Sequence, residues 1–265
     1  MELQFDHLLH AVHDPLIVRR DFERQFAYNT VAGGVHPQWG TYNALAYFGL
    51  SYIEWIGIKD EQTARGTEFG RQVASRLDVG EGAIQFALRT TKMDEVAALW
   101  RGKGLEFTGP LAASRQRPDG QVLQWRMLFP RQEAGGAFKL PFLIEWQLSD
   151  EARLADLQQT GALTTAPGYQ MRAVHSAVQD LSAFANRWRM YFGDGLELLI
   201  DDTRGDEGLC IQLGDVQLCF WVAANRQVSA DVDRVGEHPY QLDFVRMAKG
   251  QSSHPCAFHG LMVRV

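Results

Sequence analysis

Residues 51–60 read SYIEWIGIKD, and residues 141–150 answer them with PFLIEWQLSD. Both stretches hold Ile-Glu-Trp inside an apolar run that ends at an Asp. An ionised carboxylate in a strand that otherwise reads as buried is costly unless a hydrogen bond, an ion pair or a metal compensates it. Glu54 and Glu145 therefore need partners, and their echo directs attention to an internal repeat.

The repeat extends well beyond the two glutamates. Residues 3–13, LQFDHLLHAVH, read as a strand, and Asp14 with Pro15 is placed to start a helix over 15–27. Strand-like runs follow at 29–34, 41–49 and 51–58, giving the order β-α-β-β-β. A helical segment at 61–77 leads to a second pass: strand 82–91, helix 93–104 with Gly102 and Gly104 as stops, then apolar runs at 105–114, 121–129 and 140–149. The RPDG stretch at 117–120 has turn chemistry. A third, more divergent pass runs through strand 170–179, helix 181–193 and three further strand-like runs to residue 224. The expected organisation is thus two units (1–60 and 82–150) within 1–150, a boundary at 151–168, and a third unit with a poorly read tail over 168–265. A final strand is expected in AFHGLMVRV at the end of the chain. The predicted fold class is α+β, with repeated βαβββ units forming curved antiparallel sheets around a cleft.

Composition narrows the function. The 265 residues carry a formal net charge of −6, so no basic surface suits a phosphate backbone and nucleic acid is not expected as a partner. No run of 18 apolar residues occurs, and the first ten residues lack a cationic segment followed by an apolar one. The chain reads as soluble and cytoplasmic, with no membrane partner. Cys210, Cys219 and Cys256 form no CxxC and read as buried or half-buried thiols. Gly33 and Gly34 are not a phosphate loop, since no GxGxxG or GK[ST] accompanies them.

Aligning the first two units on the strand-helix junction sets His7 against Gln85, each seven residues before Asp14 and Lys92 respectively. The last strands then set Glu54 against Glu145. His7, Gln85, Glu54 and Glu145 are therefore the candidate metal ligands, converging if the two units face one another. The bland alternatives are a hydrogen-bonded strand histidine and two solvent-facing glutamates. By strand alternation His10 points away from His7, and Trp55 and Trp146 point away from the cleft into the core. His36, Trp39, Thr41 and Asn43 lie on the loop and strand that edge the cleft. They read either as substrate contacts or as parts of a tight Gly-rich turn.

This arrangement resembles the vicinal oxygen chelate superfamily of glyoxalases and bleomycin-resistance proteins, and more closely its glyoxalase-like domain branch. The resemblance rests on FDHLLHAVHD (5–14), on GGVHPQWGTYNALAYFG (33–49) and on YIEW (52–55), and covers residues 1–150. It implies metal ligands on the first and last strand of each unit, with Gln accepted in place of His. It also implies a small-molecule substrate and, because paired units are often completed between chains, a homodimer. A set of one imidazole, one amide and two carboxylates suits Mn, Zn, Ni or Mg, while ring-cleaving iron chemistry calls for two His and one carboxylate. Such an ion polarises a chelated carbonyl while a carboxylate, Glu54 or Glu145, moves a proton. The function expected is a metal-dependent lyase, isomerase or hydrolase acting on a substrate with two neighbouring oxygens. The alternative is a non-catalytic small-molecule-binding protein.

Overall fold

Asp14 ends the first strand and starts the first helix. Its carboxylate accepts the amide hydrogens of Leu16 at 2.8 Å and Ile17 at 3.3 Å, so strand β1 (Gln4–Ala11) hands over to helix α1 (Pro15–Phe26) within three residues. The computed structural model describes every residue except 118–119, 134, 164–167, 202–205, 223–225 and 247–254. The first unit continues with β2 (Val31–His36), β3 (Thr41–Phe48) and β4 (Ser51–Ile58). The helix expected over 61–77 is two, α2 (Glu61–Gly66) and α3 (Glu68–Val79). Thr67 divides them because its backbone is extended and its hydroxyl caps α3, accepting from the Gly70 amide at 3.1 Å.

The second unit is β5 (Gly82–Arg89), α4 (Met93–Gly102), β6 (Phe107–Gln116), β7 (Val122–Pro130) and β8 (Phe142–Trp146). Pro118 and Asp119 of the expected turn lie outside the described residues. Helix α5 (Asp150–Gln159) leads to the third unit, β9 (Tyr169–Val178), α6 (Leu181–Phe192), β10 (Glu197–Asp201), β11 (Asp206–Leu213) and β12 (Val216–Val222). Helix α7 (Arg226–Val235) and strands β13 (His238–Arg246), β14 (Cys256–Phe258) and β15 (Leu261–Arg264) complete the chain.

Units one and two merge into one curled eight-stranded sheet of order β2-β3-β4-β1-β5-β8-β7-β6. The first strands β1 and β5 lie antiparallel at its centre, with Leu9 opposite Gln85. Each is flanked by its own unit's last strand running parallel to it. A seven-stranded sheet, β10-β11-β12-β9-β13-β15-β14, repeats this plan. There β13 lies antiparallel to β9 as β5 does to β1, and β15 runs parallel to β13. The tail is therefore the remainder of a fourth unit, three strands among the described residues, where the repeat reading expected only three units. What reads as one final strand is a hairpin, because His259 takes a left-handed backbone (φ 48) before Gly260 and turns the chain.

One face of each sheet turns towards a shared apolar core that includes Phe22 of α1, Trp100 of α4, Trp188 of α6, Phe86 and Phe220. Trp100 donates its indole hydrogen to the Tyr191 carbonyl at 2.7 Å. His10 faces this core, away from His7, as strand alternation requires. It is fully buried, and its Nε2 lies 2.7 Å from the His259 carbonyl.

Burial holds the His10 pKa at about 4, from an ordinary 6.5. The unfolded chain takes up that proton as pH falls below 6.5 while the folded chain resists until about 4. Stability due to neutral His10 is thus complete above 6.5 and is lost on acidification. At about 1.4 kcal/mol per pH unit, the loss approaches about 3 kcal/mol near pH 4. Urea denaturation at pH 7 and 4.5 should show a smaller difference for His10→Gln than for the wild type.

Candidate functional site

The concave face of the first sheet carries the site. The register of β1 shifts between Phe5 and His7, so the neighbours Asp6 and His7 both sit in the polar floor beneath it. Asp6 is 0% exposed and His7 3%. Asp6 Oδ1 lies 2.8 Å from His7 Nδ1. Its Oδ2 accepts from the Trp146 indole at 3.1 Å and from Arg153 Nη1 at 3.5 Å. Burial pushes the Asp6 carboxyl up, but the Arg153 guanidinium and the His7 contact outweigh it and leave the pKa below 3.8. An ionised Asp6 can only accept, so His7 carries its proton on Nδ1 and turns the Nε2 lone pair outward.

That Nε2 faces Glu54 Oε2 at 3.5 Å. The other Glu54 oxygen accepts from Asn43 Nδ2 at 2.7 Å, and Asn43 Oδ1 accepts from the Gly34 amide at 2.8 Å. The His7 ring stacks on Tyr52, 4.5 Å between centroids at 20°. Glu54 is 9% exposed; the Asn43 amide donates to one of its oxygens and the other faces the edge of the His7 ring.

These groups close the bottom of an inner chamber of about 50 Å³. His36, Trp39 and Asn43 line it, with apolar walls from Phe69, Trp125 and Phe142. Thr41 is wholly buried; its hydroxyl lies 3.0 Å from His36 Nδ1 and so holds that ring rather than lining the chamber. Burial holds the His36 pKa below 6.5, although Glu54 opposes it. An outer chamber of about 570 Å³ adjoins, sharing Leu45, Tyr47, Arg115 and Trp146 with the inner one.

Gln85 and Glu145 do not join His7 and Glu54. Gln85 lies on the cleft face, but α3 covers it: its Oε1 accepts from Gln72 at 3.3 Å and its Nε2 donates to the Leu140 carbonyl. Strand β8 presents Phe142, Ile144 and Trp146 to the chamber, so Glu145 points the other way. There it accepts from the Met93 amide at 3.1 Å, capping α4, and forms an ion pair with Arg126, which also binds Asp94. Trp146, expected in the core, lines the cleft for the same reason. Helix α4 has no cap from its own Lys92, and Arg126 supplies a cation; both draw Glu145 outward.

The divalent cation implied by the resemblance thus finds one imidazole and one carboxylate here, with that carboxylate already held by Asn43. Among the described residues no group of three or more His, Cys, Asp and Glu side chains is placed to hold a metal ion. The residues present do not fit the expected four-donor centre. Residues that sequence reading passed over complete the site instead. Asp6 carries the same signal as Glu54, an acid within an apolar strand. Arg115 and Arg153 carry none, lying in an edge strand and in a segment read only as a boundary.

The chain belongs to the glyoxalase-like domain family, whose model matches residues 5–192. A hypothetical protein from Staphylococcus aureus is similar over 99% of this chain and 98% of its own, at 17% identity and a TM-score of 0.81. A mutant 4-hydroxymandelate synthase from Streptomyces coelicolor aligns over 91% of this chain and 70% of its own, at 11% identity and a TM-score of 0.55. These two likenesses show the fold. A mutant methylmalonyl-CoA epimerase from Streptomyces coelicolor, in complex with 2-nitronate-propionyl-CoA, aligns over 55% of this chain and 98% of its own (20% identity, TM-score 0.42). Among curated sequences none matches the chain. No helix among the described residues is long and apolar enough to cross a membrane.

Glu145 is a stabilising residue in this arrangement. Glu145→Gln should lower the unfolding free energy by about 1 kcal/mol through loss of the α4 cap charge and the Arg126 pair. The NMR signals of the His7 ring should stay where they are in the wild type.

Proposed function

We propose that the chain is a proton-transfer enzyme of isomerase type, acting on a small carbonyl compound in the cleft. The observation that carries this reading is the chain Asp6–His7–Glu54, a buried carboxylate behind an imidazole whose free nitrogen faces a second carboxylate and a chamber. Such an imidazole is a general base in fixed orientation. The C–H bond next to the substrate carbonyl breaks, its proton goes to His7 Nε2, and the electron pair moves to the carbonyl oxygen as an enolate. Glu54 offsets the charge of the imidazolium that forms. Nε2, its hydrogen exchangeable with solvent, then gives a proton to the former carbonyl carbon while the neighbouring hydroxyl proton passes to the former carbonyl oxygen, which gives the isomeric hydroxycarbonyl compound and restores the enzyme. Apolar walls exclude water and strengthen these electrostatic interactions. Two neighbouring oxygens on the substrate acidify the C–H bond concerned.

Proton NMR in D2O tests this with a set of small 2-oxo acids, hydroxyketones and 1,2-diketones. The wild type should speed exchange of the α-hydrogen of at least one of them. His7→Gln and Glu54→Gln should each slow that exchange by about 10²–10⁴-fold. Asp6→Asn, which positions His7, should also move the pH profile of the rate. Ligands that bind without exchange would establish the metal-free binding protein in place of the enzyme.

A further inference from the structure

The cation at the junction of the two chambers is built into the fold and forms no ion pair among the described residues. Arg115, on edge strand β6, lines both chambers. The curl of the sheet brings β6 against the opposite edge, β2, and there the Arg115 side chain lies across Gly33 and Gly34. A Cβ on Gly34 would come within 2.7 Å of Arg115 Cδ. One on Gly33 would come within 2.8 Å of Arg115 Nη1 and 1.8 Å of Asn43 Oδ1. The glycine pair is therefore the cradle of this guanidinium, and it also places Asn43, the residue that orients Glu54.

The other two arginines of the outer chamber are committed. Arg117 grips Asp156 through both terminal nitrogens, at 2.6 and 3.1 Å. Arg153 reaches Asp6 and lies 4.2 Å over the Trp146 ring. Arg115 has one hydrogen bond, a long 3.4 Å contact to Asn43 Oδ1, and no carboxylate partner among the described residues. A half-buried guanidinium in a cavity is matched by a planar anion that it can bind with two hydrogen bonds.

We infer that Arg115 binds the carboxylate of the ligand, and that this ligand is a monocarboxylate with a small carbonyl head and an apolar tail. Chamber sizes assign the parts. About 50 Å³ next to His7 takes a head of one or two heavy groups, given about 30 Å³ for a water. The roughly 570 Å³ beyond Arg115, walled by Leu45, Tyr47, Leu157 and Trp146, takes a tail the size of a phenyl or branched alkyl group. This inference rests on the reading of the cleft as a ligand site but not on its proton chemistry. It is measured by binding, so it can fail while turnover stands, or stand while turnover fails.

The probes are 4-phenyl-2-oxobutanoate and 4-phenylbutan-2-one, which share tail and carbonyl and differ in the carboxylate. Calorimetric titration of the full chain should show the acid bound at least about tenfold tighter than the ketone, the worth of about 1.4 kcal/mol. Arg115→Gln should remove that preference and leave the ketone's affinity unchanged. Gly34→Ala, which displaces the Arg115 side chain without straining the backbone, should weaken the acid alone, and Arg115→Lys should retain part of the preference. Thermal midpoints identify any variant that fails to fold, in which case the remaining two decide. The inference is overturned if the wild type binds acid and ketone equally, if it binds neither, or if the folded variants hold the acid as tightly as the wild type does.

Discussion

The Asp6 carboxylate has no contact with solvent, and the floor of the cleft is arranged around the compensation of its charge. Three groups from three places meet it: the His7 imidazole from the same strand, the Trp146 indole from β8 and the Arg153 guanidinium from α5. A buried anion with these partners stays ionised and can only accept hydrogen bonds. That one constraint sets the tautomer of His7 and so decides which nitrogen faces Glu54. It also fastens α5 to the sheet, which gives the outer chamber one of its walls.

The repeat is near-symmetric in backbone and asymmetric in chemistry. The first unit supplies His7, Asn43 and Glu54. At the facing positions the second supplies Phe142, Ile144 and Trp146, which are wall rather than ligand. A fourfold ligand shell would need charged or polar donors from both halves. Apolar groups on one side instead make a chamber in which an imidazole and a carboxylate stand among apolar walls. The curl of the sheet completes the enclosure by bringing its two edges together where Gly33 and Gly34 leave room for Arg115.

The repeat, its helices and most strand positions were legible in the sequence because they depend on local rules. Asp14 and Asp180 cap the helices they precede, accepting from amides two and three residues on. Apolar residues recur at helical spacing in α1 and α6, with Val18, Phe22 and Phe26 in one and Phe184, Trp188 and Phe192 in the other. His7, His36, Trp39, Asn43 and Glu54 all belong to the first unit, and its curl brings them to one cleft. The tail was illegible because β13 and β15 take their meaning from pairing with β9 and with each other, partners more than fifty and about twenty residues away.

By itself the sequence determined where most strands and helices of the three repeat units form, which faces of the first unit are apolar, and that an acid in each Ile-Glu-Trp needs a partner. It could not determine which partner, because a strand covered on both faces gives a carboxylate two directions in which to find one. Tertiary structure decided this separately for each copy. Glu54 turned inward to Asn43 and His7, and Glu145 turned outward to the uncapped end of α4 and to Arg126. The same sequence motif thus became part of the cleft floor in one unit and a helix cap in the other. The physical reason is that a buried charge settles where compensating groups already stand, and those are placed by the fold as a whole.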